Sequence, residues 1–174
     1  MDVLLKKIYD VFAANTALFT DLNVAPVKTI DLYRGQPATP EQFEYFETPA
    51  LFIDYSLDWK RVGKTWDASG TLDVHVVTDN PFHDTGNIFT SLDEGLKKTF
   101  YYTIARKLLD NLESDNTSKL VRSTEQPVDT GVSVYHKLSY TFNYYDPVVI
   151  DKNEQILTDD VNVSVTDKDL IKLI

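Results

Sequence analysis

Two stretches near the middle of the chain alternate apolar and polar residues over lengths that paired β-strands accommodate and helices do not. In residues 50–59, Leu51, Ile53, Tyr55, Leu57 and Trp59 interleave with Phe52, Asp54, Ser56 and Asp58. In residues 64–78, Trp66, Ala68, Gly70, Leu72, Val74 and Val76 interleave with Asp67, Ser69, Thr71, Asp73 and His75. Successive side chains on a strand point to opposite faces, so each run carries one apolar and one mainly polar face. Gly63 supplies the turn between them, and the pair reads as a long antiparallel hairpin with one solvated face. A third run, 132–145, sets Val132, Val134, His136, Leu138, Tyr140, Phe142 and Tyr144 against Ser133, Tyr135, Lys137, Ser139, Thr141 and Asn143. With a short strand at 119–124 and a turn at 127–131 it forms a second hairpin, which Asp146-Pro147 ends.

Two other segments follow a helical period. Val3, Leu4, Ile8, Val11, Phe12 and Phe19 recur at three- and four-residue steps, with Asp2 as the expected N-cap. Ile88, Leu92, Leu96, Phe100, Ile104 and Leu108 keep a four-residue step through 88–112, and Phe89, Tyr101, Leu109 and Leu112 widen the stripe. Residues 27–33 suggest a short strand, and the prolines between Gly35 and Pro49 suggest a loop. Thr78 to Gly86 is dense in turn formers, among them His83 and Asp84. The expected fold is α+β: an antiparallel β-sheet of two long hairpins, packed with an N-terminal helix and a central amphipathic helix. This domain is expected to span residues 1–147. Residues 148–174 scatter short apolar runs among Asp, Asn and Thr and read as an extended C-terminal arm, which folds back on its own domain or adds a strand to a neighbour's sheet.

The chain has 174 residues and no cysteine, so disulfides, thiolate catalysis and cysteine-based zinc sites are excluded. Its start lacks the pattern of a signal peptide, no apolar stretch has the ~20 residues of a membrane span, and synthesis in the cytosol is expected. A formal charge of −10 disfavours tight binding to nucleic acid or anionic membranes. It suits solubility, or a surface past which DNA slides without sticking.

The residue types that carry chemistry do not converge. His75, His83 and His136 lack metal-ligand spacing, and there is no HExxH. His136 is expected at the edge of the core, bonded to a carbonyl. The acid pairs Asp54/Asp58, Asp67/Asp73, Asp79/Asp84 and Asp159/Asp160 could serve hydrolysis or hold Mg²⁺, but they fall on exposed strand faces or in turns, where solvation explains them. GxSxG, GxxxxGK[ST] and GxGxxG are all missing. No catalytic residue, cofactor or metal is therefore expected. The remaining candidates are surfaces. Phe52, Val77, Tyr135 and Tyr145 are apolar or aromatic residues on the nominally polar sheet face, a pattern that marks interfaces. Val149, Ile150, Val163 and Val165 supply the apolar side chains of the arm.

The order of elements resembles the tail-terminator and tail-completion (head–tail connector) proteins of tailed bacteriophages. The stretch from Gly70 to Asn80, GTLDVHVVTDN, the helix after it and the last strand, VYHKLSYTFN from Val134 to Asn143, carry the likeness. It covers about residues 1–147 and is one of pattern, without diagnostic motif residues. The resemblance implies a structural virion protein in the tail or neck, made in the host cytoplasm. It further implies a ring of roughly six or twelve copies that joins adjacent connector, portal-adaptor or tail-tube proteins, with DNA only as passing cargo. On that reading Asp67 and Asp73 would line or neighbour the channel, and the arm would be a docking element that departs from shorter members of the family. Two other readings stand beside it. One is a cytosolic ligand- or protein-binding module without catalysis; the other is an enzyme whose Asp54 and Asp58 converge on a metal.

Overall fold

In the computed structural model, residues 1–39, 42, 46–63, 65–78, 92–131 and 133–146 are described, with the side chains of 92–95 excepted. The elements run α1 (Asp2–Ala14), α2 (Ala17–Thr20), β1 (Thr29–Leu32), β2 (Ala50–Val62), β3 (Thr65–Val77), α3 (Leu92–Leu109), β4 (Val121–Asp129) and β5 (Val134–Tyr145). The five strands form one sheet in the order β1-β2-β3-β5-β4, and the fold is α+β. The two hairpins are antiparallel and meet along β3 and β5, from Asp67 opposite Tyr145 to Val76 opposite His136. The sheet is nevertheless mixed, because β1 lies parallel to β2 over Thr29–Leu32. The connection between them must therefore cross a face of the sheet rather than turn at its edge.

One face of the sheet carries the main core. Leu51 and Ile53 of β2, Leu72, Val74 and Val76 of β3, and Leu138, Tyr140 and Phe142 of β5 pack against Leu4, Ile8 and Phe12 of α1, Phe19 of α2, and Tyr101, Ile104, Ala105 and Leu109 of α3. The period-two runs of the sequence make this face, and the helical stripes cover it. The N-terminal helical segment breaks after Ala14, where the Asn15 side chain donates back to the Val11 carbonyl at 2.8 Å, the local competition that disfavours Asn inside helices. The short α2 then folds Phe19 in between Phe12 and Tyr101, with ring centroids 6.4 and 6.0 Å apart. Asp2 is the first helical residue rather than the cap. Met1 takes the cap position without a side-chain bond.

At Gly70 the backbone approaches a neighbour closely. A Cβ there would sit 2.6 Å from Cε1 and 2.7 Å from Cε2 of Phe142, its direct partner on β5. The outer end of the Phe142 ring occupies the space over the glycine, so Gly70→Ala is expected to destabilise the fold by about 1–3 kcal/mol through overpacking. A urea-denaturation midpoint no lower than that of the natural chain would contradict this.

Candidate functional site

The second face of the sheet is divided along the strands. At the β1 end, the chain after Leu32 passes over it as a strap. The Tyr33 N–H donates to the Ile53 carbonyl at 2.8 Å. Gln36 is buried, its amide donating to the Leu32 carbonyl and its Oε1 accepting from the Arg34 N–H, each at 2.7 Å. The Ser133 hydroxyl donates to the Pro37 carbonyl. Beneath this strap Ala50, Phe52, Val77 and Tyr135 form a second, smaller core with Tyr33, Phe46 and Val128. Two expectations are corrected here: Phe52 is 1% and Tyr135 3% exposed, so these aromatics on the nominally polar face are covered by their own chain. Val77 is covered in the same way.

His75 is also on this face, as its strand position requires, but it too is buried. Its ring stacks on Tyr33 with centroids 3.9 Å apart and leans on Tyr135 at 5.4 Å. Neither ring nitrogen has a hydrogen-bond partner among the described residues. Burial drives its pKa down to about 4, and Lys137 adds to that effect against the opposing pull of Asp73. The imidazole is neutral at pH 7.

Beyond the strap the face is polar and partly exposed. Asp73 accepts from Lys137 at 2.9 Å and from the Ser139 hydroxyl at 2.5 Å. Burial acts to raise its pKa, but the Ser139 bond and the Lys137 ammonium outweigh it and hold the carboxyl below its usual value. Asp73 is thus an ionised carboxylate whose charge is offset by the Lys137 ammonium. Asp67 lies on the same face six positions along β3, in register with Lys60 and Tyr145, about 20 Å from Asp73 at the rise of a strand. Tyr145 is 48% exposed and remains an open aromatic position. Asp54 and Asp58 are exposed on β2; Asp54 lies opposite Asp73 and its charge reaches His75, but among the described residues these groups are not placed to hold a metal ion. Val149, Ile150, Val163 and Val165 lie outside the described residues, as do His83, Asp84 and the first turn of the expected central helix.

A second polar cluster joins α3 to β4 and β5. Glu125 accepts from Arg106 at 3.3 Å, from Arg122 at 3.2 Å and is 2.9 Å from His136 Nε2. Arg122 also reaches Asp110 at 3.5 Å, and His136 stacks on Tyr102 with centroids 4.1 Å apart. The expected carbonyl partner of His136 is therefore replaced by a carboxylate. Burial acts to raise the Glu125 pKa, yet the His136 bond and the two guanidinium groups lower it overall. A carboxylate saturated by such donors is a poor base or nucleophile, and the cluster fastens a helix to an edge strand. Among the described residues no group of three or more His, Asp or Glu is placed to hold a metal ion. No described helix is long and apolar enough to cross a membrane.

Part of the exposed apolar surface lies along β2 beyond its pairing with β1. Tyr55 is 39% and Trp59 44% exposed, and Val62 beside the hairpin turn is exposed as well. Trp59 meets the Tyr144 ring edge to face, with centroids 5.7 Å apart.

No protein-family model matches the sequence, and no curated protein matches it. Among solved structures, the fold is similar to that of a chain in the virion of a native gene transfer agent particle. The TM-score is 0.56 at 10% sequence identity, and the alignment covers 83% of this chain and 96% of that chain. At that identity the likeness is one of fold.

Proposed function

We propose that this chain is a structural, non-catalytic protein of a phage-like virion. In this reading copies assemble into a ring in the neck or at the end of the tail tube, join neighbouring rings and leave a channel for DNA. The observation that carries it is the fold shared with a virion chain over nearly the whole of that chain. The surfaces are consistent with it. The titratable clusters are consumed in ion pairs that hold the sheet together. The open groups are instead strand edges and aromatic side chains, the features that protein partners use. Tyr145 and the arm residues Val149, Ile150, Val163 and Val165 are the contacts assigned to neighbouring subunits or rings, and Asp67 is the acid assigned to the channel.

Particles purified from cells carrying the gene test this reading. The chain is expected in them at a fixed, multiple copy number by quantitative mass spectrometry, and deletion of the gene is expected to leave heads and tails unjoined or tails of uneven length. Intact, fully joined particles that lack the chain would refute it.

A further inference from the structure

β2 has an unpaired edge along most of its length. β1 covers it only as far as Ile53, so among the described residues nothing pairs with the outer side of 54–62. The Tyr33 bond to the Ile53 carbonyl shows which residues face outward. Alternation then turns the backbone groups of Tyr55, Leu57, Trp59 and Arg61 away from β3. The Tyr55 N–H is taken by its neighbour Asp54 at 2.8 Å, which leaves the N–H groups of Leu57, Trp59 and Arg61 turned outward with no strand partner among the described residues.

The opposite edge of the sheet is built differently. β4 carries Pro127 and a register shift between Arg122 and Thr124, two devices that blunt an edge against further pairing. The open part of β2 has neither a proline nor a glycine and its register with β3 is unbroken. It also bears the exposed Tyr55 and Trp59 on one face. Such an edge is a template for an added strand.

We infer that this edge receives residues 161–166 of a second copy of the chain as an antiparallel strand, an inference that rests on the proposed self-assembly. The occupant is identified by complementarity. Val161, Val163 and Val165 alternate with Asn162, Ser164 and Thr166, as Trp59, Leu57 and Tyr55 alternate with Asp58, Ser56 and Asp54 on β2. In one antiparallel register Val161 faces Trp59, Val163 faces Leu57 and Val165 faces Tyr55, while Ser164 faces Ser56. The same register sets Asp160 against Lys60 and Asp159 against Arg61, pairing unlike charges at the hairpin end. The point where the arm leaves the domain fits as well. The Asp146 N–H donates to the Trp66 carbonyl at 3.0 Å, so the chain departs beside the tip of the β2–β3 hairpin. Its own β2 edge is then only about two strand spacings away, roughly 10 Å. The spacer from Asp146 to Val161 extends to about 50 Å, far longer than a return to the same sheet requires and suited to a neighbour.

The natural absence of cysteine makes the test direct. Ser56 and Ser164 would form a non-hydrogen-bonded cross-strand pair, the kind whose side chains lie closest. The full-length double variant Ser56→Cys/Ser164→Cys is expected to give a ladder of disulfide-linked multimers on oxidation. Adding Val163→Pro, which removes an arm N–H without touching the folded domain, is expected to cut that yield about tenfold or more while the circular dichroism spectrum is unchanged. A disulfide confined to single chains, or a ladder indifferent to Val163→Pro, overturns the inference. So does native mass spectrometry that shows the assembly intact without disulfides, and that result leaves the ring reading standing. A monomer without any disulfide would instead remove self-assembly and this inference together.

Discussion

Replacing Phe52 with alanine is expected to lower the unfolding free energy of the isolated chain by about 3–5 kcal/mol, the usual cost of deleting a buried aromatic side chain. Phe52 is 1% exposed and meets Phe46 edge to face, with centroids 4.9 Å apart. Tyr33, Val77 and Tyr135 belong to the same cluster, so the truncation would open a cavity and loosen the strap from the sheet. Tyr145→Ala, at a position 48% exposed, is expected to change monomer stability by less than about 0.5 kcal/mol. Urea denaturation of both variants in dilute solution separates a core covered by its own chain from the contact proposed at Tyr145. A Phe52→Ala response as small as that of Tyr145→Ala would mean that Phe52 is not held by its own chain.

Acid is expected to weaken the fold well above the pH at which carboxylates titrate. His75 has its pKa lowered from 6.5 to about 4 by burial in the stack of Tyr33 and Tyr135. Between those two values the unfolded chain binds a proton that the folded chain refuses, so stability is full above pH 6.5 and falls as pH drops toward 4. The loss at pH 4.5 relative to pH 7 is expected to be about 2 kcal/mol from this residue. Asp73 and Glu125, whose pKa values are lowered in the fold, add their own losses only below the ordinary carboxylate range. His75→Phe keeps an aromatic ring in the stack and removes two buried nitrogens that lack partners among the described residues. It should match or exceed the natural chain in stability at pH 7 and lose the slope between pH 6.5 and 4.5. Equal acid slopes in the two proteins would contradict this assignment.

The strands that fix the fold were legible because their pattern is strictly local. The runs through Leu51–Trp59 and Trp66–Val76 alternate without interruption, and the structure pairs them as one hairpin. Features that depend on distant contacts were not legible. Pro127 reads as a turn, yet β4 continues through it to Asp129, since an edge strand tolerates a missing N–H on its solvent side. Leu96 belongs to a four-residue series in the sequence but is exposed, whereas Tyr101 and Ala105 are buried. A helix turns about 3.6 residues per turn, so a strict four-residue series drifts round it by about 40° per step. The buried stripe is the one facing the sheet. The parallel pairing of β1 could not be read either, and it sends the strap across the second face.

That strap accounts for most of what changed in the candidate surface. Phe52, Tyr135 and His75 occupy the face their strand positions dictate, but the residues over them come from the segment around Tyr33, Gln36 and Phe46. No period-two argument anticipates a proline-punctuated loop folding down on a sheet. Likewise, alternation placed Asp73 on the polar face, but its pairing with Lys137 depends on β3 and β5 lying side by side. The open edge of β2 follows from the brevity of β1 and from topology alone.

Native mass spectrometry of the purified full-length chain bears most directly on the claim that this molecule functions by joining copies of itself. A single closed species at an integer multiple of 19.9 kDa, dissociating to monomer without intermediates of open-ended growth, is the expected result. A monomer that persists at high concentration would contradict it.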